Sequence, residues 1–126
     1  MRVQLVNNCH KYSGYQHLDI NQFKELADNC CDEIIAYGFI HDVKLADLAH
    51  LFSLLNSKLR KNGELSFNFV NYLTIDPYAI DVPEFNAIVN CTCLTIEYMK
   101  EFCEEHGLKV LNWDTDGHET TMRVKR

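Results

Sequence analysis

Three groups of residues in this chain are of types that do chemistry. His41-Asp42 follows directly on the apolar run Ile34-Ile35-Ala36-Tyr37-Gly38-Phe39-Ile40. An imidazole so placed can take up a proton near neutral pH; alternatively Asp42 is a helix N-cap and His41 is simply exposed. Cys30-Cys31 and Cys91-Thr92-Cys93, with His10 or His106, invite a zinc reading. Neither pair has the two-residue spacing of a structural chelate, so no metal is expected, and buried or half-exposed thiols account for these cysteines. Cys9 stands alone, with no evident base to make it a nucleophile.

The residues from Asp28 to Val70 must position these groups. Leu45, Leu48, Phe52, Leu55 and Leu59 recur at three- and four-residue spacing and share one face of a helix. That helix lies between the Ile34–Ile40 run and the alternating run Leu65, Phe67, Phe69, with Asn62-Gly63 as a left-handed stop. A strand, a helix and a strand over this length form a right-handed βαβ unit, whose two strands are parallel. A strand without polar alternation is covered on both faces, which puts Ile34–Ile40 at the centre of the sheet.

With 126 residues the chain is expected to be one domain, 1–126. A net charge of -6 without a basic run argues against a dedicated nucleic-acid surface. No stretch approaches the roughly twenty apolar residues of a membrane span. The start, MRVQLVNN, is too short and polar for a signal peptide, so a cytoplasmic location is expected, with its six cysteines reduced.

Arg2–Val6 and Tyr15–Ile20 read as strands joined by a bare loop, since Cys9–Gly14 is too short for a helix. Asn21–Cys31 reads mostly as loop, with room for one helical turn or a very short strand. Leu73–Val89 holds both prolines and reads as irregular. Thr95 caps a second helix, Ile96–His106, ended by Gly107-Leu108. Lys109–Trp113 and Thr120–Lys125 flank a hairpin signal, Asp114-Thr115-Asp116-Gly117. Phe67, Phe69 and Tyr72 read as core. Both strong helices fit one sheet face; the other, carrying Gln4, Ser66 and Asn68, is either solvated or covered by a second copy, a homodimer through the open face.

In order and spacing these elements resemble the small class I, Rossmann-like S-adenosylmethionine-dependent methyltransferases. VQLVNNCHKYSGYQHLDIN resembles their first two strands, ADNCCDEIIAYGFIHD their fourth-strand motif, LRKNGELSFNF their entry to the fifth strand, and TIEYMKEFCEEHGLKVLNWDTDGHETTMRVKR their last helix and closing hairpin. The resemblance implies an α/β fold: a minimal Rossmann-like methyltransferase sheet, mostly parallel, with a C-terminal antiparallel hairpin. It implies S-adenosylmethionine as cofactor, held by Asn7, Asn8 and Cys9 after the first strand, by Asp19 and Ile20 after the second, where the acid takes the ribose hydroxyls, by Asp28 near the adenine and by Tyr37. His41 and Asp42 are the implied catalytic pair, His41 taking a proton from the methyl acceptor.

The chain departs from the family in two ways. Asn7-Asn8-Cys9 replaces the family's Gly-x-Gly, and its third strand has no counterpart, so the adenine pocket would be shallow. The alternative is a catalytically inactive methyltransferase-like module for self-association or partner binding. The acceptor is unreadable, because the segment that would select it, Leu73–Val89, carries no motif.

Overall fold

The computed structural model describes residues 1–6, 10–40, 43–71, 93–117 and 119–126. In chain order its elements are β1 (Arg2–Leu5), β2 (Gln16–Leu18), α1 (Ile20–Lys24), β3 (Cys31–Ala36), α2 (Leu45–Lys58), β4 (Leu59–Asn71), β5 (Cys93–Leu94), α3 (Ile96–Glu105), β6 (Lys109–Asp116) and β7 (Glu119–Lys125). The sheet runs β2-β1-β3-β4-β7-β6, and β5 pairs with the end of β4. β2, β1, β3 and β4 are mutually parallel, while β7 is antiparallel to both β4 and β6. The fold is therefore the mostly parallel α/β sheet with a closing antiparallel hairpin that the sequence implies.

At its centre β3 and β4 pair in parallel, bridged by α2. Ile34, Ile35 and Ala36 are all buried, as a strand covered on both faces requires. Leu48, Phe52 and Leu55 of α2 pack with Leu65, Phe67 and Phe69 of β4 and with Met99, Phe102 and Cys103 of α3 in one core. Phe52 is its centre, edge-on to Phe67 and to Phe102 at 5.1 Å each. Both long helices thus lie on one sheet face, and Asn56 Nδ2 of α2 ties them together by donating to His106 O, 2.9 Å away.

Two local expectations need correction. The strand expected over Ile34–Ile40 stops at Ala36, and the chain turns at Tyr37–Gly38. Asn62-Gly63 does not stop α2, which ends at Lys58 and runs straight into β4. The pair forms a bulge instead: Asn62 is left-handed at φ 69, and the register jumps from Cys31↔Leu59 to Glu33↔Glu64. Gly63 is required by close approach, since a Cβ there would lie 2.9 Å from Arg60 O and 3.0 Å from Cys31 O. Asn21–Cys31 is mostly loop after one helical turn, as expected: Asp19 and Gln22 form a reciprocal capping box that starts α1, and its Phe23 is buried.

The rest follows local chemistry. Thr95 caps α3, and the helix ends in a Schellman turn: Leu108 N donates to Cys103 O, Gly107 N to Glu104 O, and Gly107 takes φ 76. β6 extends through Asp116, beyond the expected Trp113. The cap of α2 is Lys44, which makes no side-chain capping bond; Asp42, expected there, lies outside the described residues, as do Tyr72 and Leu73–Val89.

Candidate functional site at the carboxyl edge of the sheet

Parallel strands of an open α/β sheet gather ligands beyond their carboxyl ends, where chain order reverses. Here β1 lies between β2 and β3, and the ends of these three strands form that edge. Asp19 stands at the end of β2. Its Oδ1 accepts from Gln22 N at 2.8 Å while Gln22 Oε1 accepts from Asp19 N at 3.0 Å. This cap occupies one carboxylate oxygen, and the other has no partner among the described residues. Ile20 next to it is half-buried against the core.

At the end of β3, Tyr37 turns toward the open sheet face. It is half-buried, shares a hydrogen bond with Ser66, and burial pushes its hydroxyl above the usual tyrosine range. Gly38 N donates to Asn68 Oδ1 at 2.8 Å, and Asn68 Nδ2 donates to Glu119. Ser66 and Asn68 of β4 thereby hold the turn that leads to His41-Asp42.

In place of a helix after β1, a loop folds back over the sheet. Gln4, fully buried, donates to His10 O at 2.6 Å and accepts from Tyr12 N at 2.8 Å. His10, Tyr12 and Tyr37 stack edge to face in sequence, at 5.1 and 6.0 Å. Lower down, Tyr15 donates to Glu33, and Arg2 donates to both Glu33, at 2.9 Å, and Tyr15, at 2.9 Å.

Of the residues expected to meet at the site, Asp19 and Ile20 stand on its edge and Tyr37 borders it from the open face. Asp28 does not join them. It precedes β3, at the sheet's opposite end, and pairs with the buried Lys58 at 3.4 Å. Asn7, Asn8, Cys9, His41 and Asp42 lie outside the described residues. Sequence reasoning missed Tyr12, and it read Gln4 and Asn68 only as open-face residues, not as supports of this edge. Gln4 alone had a signal, a polar residue inside the otherwise buried V-Q-L of β1.

Cys30, Cys31 and Cys103 are free thiols. Burial pushes Cys31 and Cys103 each up to about 12, so both stay protonated at neutral pH and are poor nucleophiles. Among the described residues no three His, Cys, Asp or Glu side chains are grouped to hold a metal, and no helix is long and apolar enough to cross a membrane.

No protein-family model and no curated protein matches the chain. Solved structures do. A SAM-dependent methyltransferase from Archaeoglobus fulgidus superposes with a TM-score of 0.65 at 14% identity, covering 90% of this chain and 68% of that one. The 1,6-didemethyltoxoflavin-N1-methyltransferase of Burkholderia thailandensis, solved with S-adenosylhomocysteine, gives 0.65 at 10%, covering 89% and 51%. Magnesium protoporphyrin IX methyltransferase from Synechocystis gives 0.62 at 9%, covering 89% and 50%. At such identities what is shared is the fold. The chain has the class I, Rossmann-like methyltransferase fold, and it spans 32% to 68% of the length of the neighbours it matches.

Proposed function

We propose that this chain binds S-adenosylmethionine along the carboxyl edge of β1, β2 and β3 and transfers its methyl group to an acceptor. The observation that carries this reading is the strand order β2-β1-β3-β4-β7-β6 with β7 reversed, which places the end of β2 and its acid on the ligand-collecting edge. The residues present fit the cofactor. Asp19 keeps one carboxylate oxygen free for ribose hydroxyls, and half-buried Ile20 offers an apolar wall beside it.

When bound, the cofactor supplies a methyl group on a positively charged sulfur leaving group, so the protein's main task is alignment. In this reading Asn7, Asn8 and Cys9 hold the methionine end by backbone contacts, Asp19 fixes the ribose, and His41 takes the acceptor's proton. Asp42 orients or caps.

The test is titration calorimetry with S-adenosylmethionine and S-adenosylhomocysteine. Asn caps a helix as well as Asp does, so Asp19→Asn retains α1 while removing the charge from the ribose site. Heat with the native protein, weakened about tenfold in Asp19→Asn at unchanged melting temperature, is expected; this corresponds to about 1.4 kcal/mol. Silence with both ligands overturns the proposal. Silence favours the second reading, a non-catalytic module, which is supported by Asn7-Asn8-Cys9 in place of Gly-x-Gly and by the lack of a described third strand.

A further inference from the structure

The open face of the sheet divides into two halves. Over β1 and β3 the loop from His10 to Tyr15 lies on the sheet, so Gln4 and Ile35 are buried within the chain's own fold. Gln4 is therefore not available to a partner. Over β4, β7 and β6 no described element covers that face: Asn112, Asp114, Asp116, Glu119, Thr121 and Arg123 are exposed and Ser66 is partly so.

On β6 and β7 the charges of the uncovered half are sorted by height. At the base Lys109 stands directly opposite Lys125, with Arg123 next on the same face. At the turn Asp116 stands directly opposite Glu119, with Asp114 next. Asn112 and Ser66 flank Arg123, and Asp114 and Asn68 flank Thr121. None of these six charges has an ion-pair partner among the described residues. Like charges opposite each other destabilise a hairpin; Glu64 of β4, directly opposite Lys125 on its other side, and the Asn68 donor to Glu119 offset only part of that cost, and Lys109 and Asp116 at the outer strand have no such neighbour among the described residues.

The pattern is antisymmetric about its middle, and this selects one stacking of two copies. A two-fold axis in the interface plane and perpendicular to the strands lays the turn of one copy over the base of the other. Lys109 then faces Asp116 of the partner subunit, Lys125 faces Glu119 of the partner subunit, and the row of Arg123 lies over the row that holds Asp114 of the partner subunit. An axis parallel to the strands would set Lys on Lys and Asp on Asp. The geometry points to a homodimer through the open face of β4, β7 and β6, its strands antiparallel across the interface, in which two copies relieve each other's like-charge pairs. The proposal is independent of cofactor binding.

Charge reversal and mixing test it, read by sedimentation at low salt. Lys109→Glu with Arg123→Glu leaves Lys125 as the one cation among these six, and Asp114→Lys with Asp116→Lys leaves Glu119 as the one anion among them. Both sets replace a like-charge cross-strand pair by an opposite one, so neither should lower the melting temperature. The native chain is expected to dimerise more weakly as salt rises. Each double variant should be at least about tenfold weaker in self-association, and an equimolar mixture of the two should restore a dimer. A native chain monomeric at high concentration and low salt overturns the proposal. So does native self-association that both double variants retain, or variants that stay monomeric when mixed.

Discussion

The half of the molecule built from α2, β4, α3, β6 and β7 differs sharply from the half built from β1, β2 and α1. In the first, two helices of full length cover one sheet face and share Phe52, and most buried side chains belong to it. In the second, one five-residue helix and a loop pinned by Gln4 stand where longer elements would be expected, and β2 has only three residues. The proposed cofactor edge lies on this pared-down side. The scaffold is thus held by apolar burial far from the site, while the site's own supports are hydrogen bonds to one glutamine and one cap. Substitutions in the first half should act on stability, and those in the second on binding.

The largest effect is expected for Phe52→Ala, which removes the ring joining sheet, α2 and α3. A loss of about 3–5 kcal/mol in denaturant unfolding is expected; a loss under 1 kcal/mol would place the core elsewhere. Gly63→Ala comes next. Its Cβ would press on two backbone carbonyls that cannot step aside, costing about 1–3 kcal/mol, with ligand binding unchanged because the bulge lies at the opposite end of β3.

On the other side, Asp19→Ala should cost about 1 kcal/mol through loss of the cap, while Asp19→Asn leaves stability level. If both lower binding equally although only Asp19→Ala loses stability, the carboxylate rather than the cap serves the site. The smallest effect concerns Asp32, held below the usual carboxylate range first by its hydrogen bond from the N-terminal ammonium and then by Arg60. A depressed carboxyl contributes stability above its unfolded value and loses it as pH falls through the folded one. Replacing it in Asp32→Asn should flatten the acid limb of the pH–stability curve, slightly, since the group is exposed.

The βαβ centre was legible because its signals are local and repeated: leucine spacing in α2, an unbroken apolar run in β3 and alternation in β4. The Thr95 cap and the Gly107 stop were equally plain. The Asn62-Gly63 pair was misread because a turn-favouring dipeptide announces a left-handed residue without saying which element holds it. Asp28 was misplaced for a related reason. Its rank in the chain resembles that of a site residue, but it precedes β3, and only the direction of the strand tells amino end from carboxyl end.

Burial pattern and the punctuation of α3 come from neighbours in sequence, and the chain alone determined them: which residues are core, where α3 starts and stops, and which strands alternate. Which sides meet is a property of pairing between distant segments. The folding of the His10–Tyr15 loop onto Gln4, the pinning of Tyr37–Gly38 by Ser66 and Asn68, and the gathering of like charges at either end of β6 and β7 each depend on register across strands. A shift of one residue would move every one of these groups to the opposite face, so only the tertiary structure decides them.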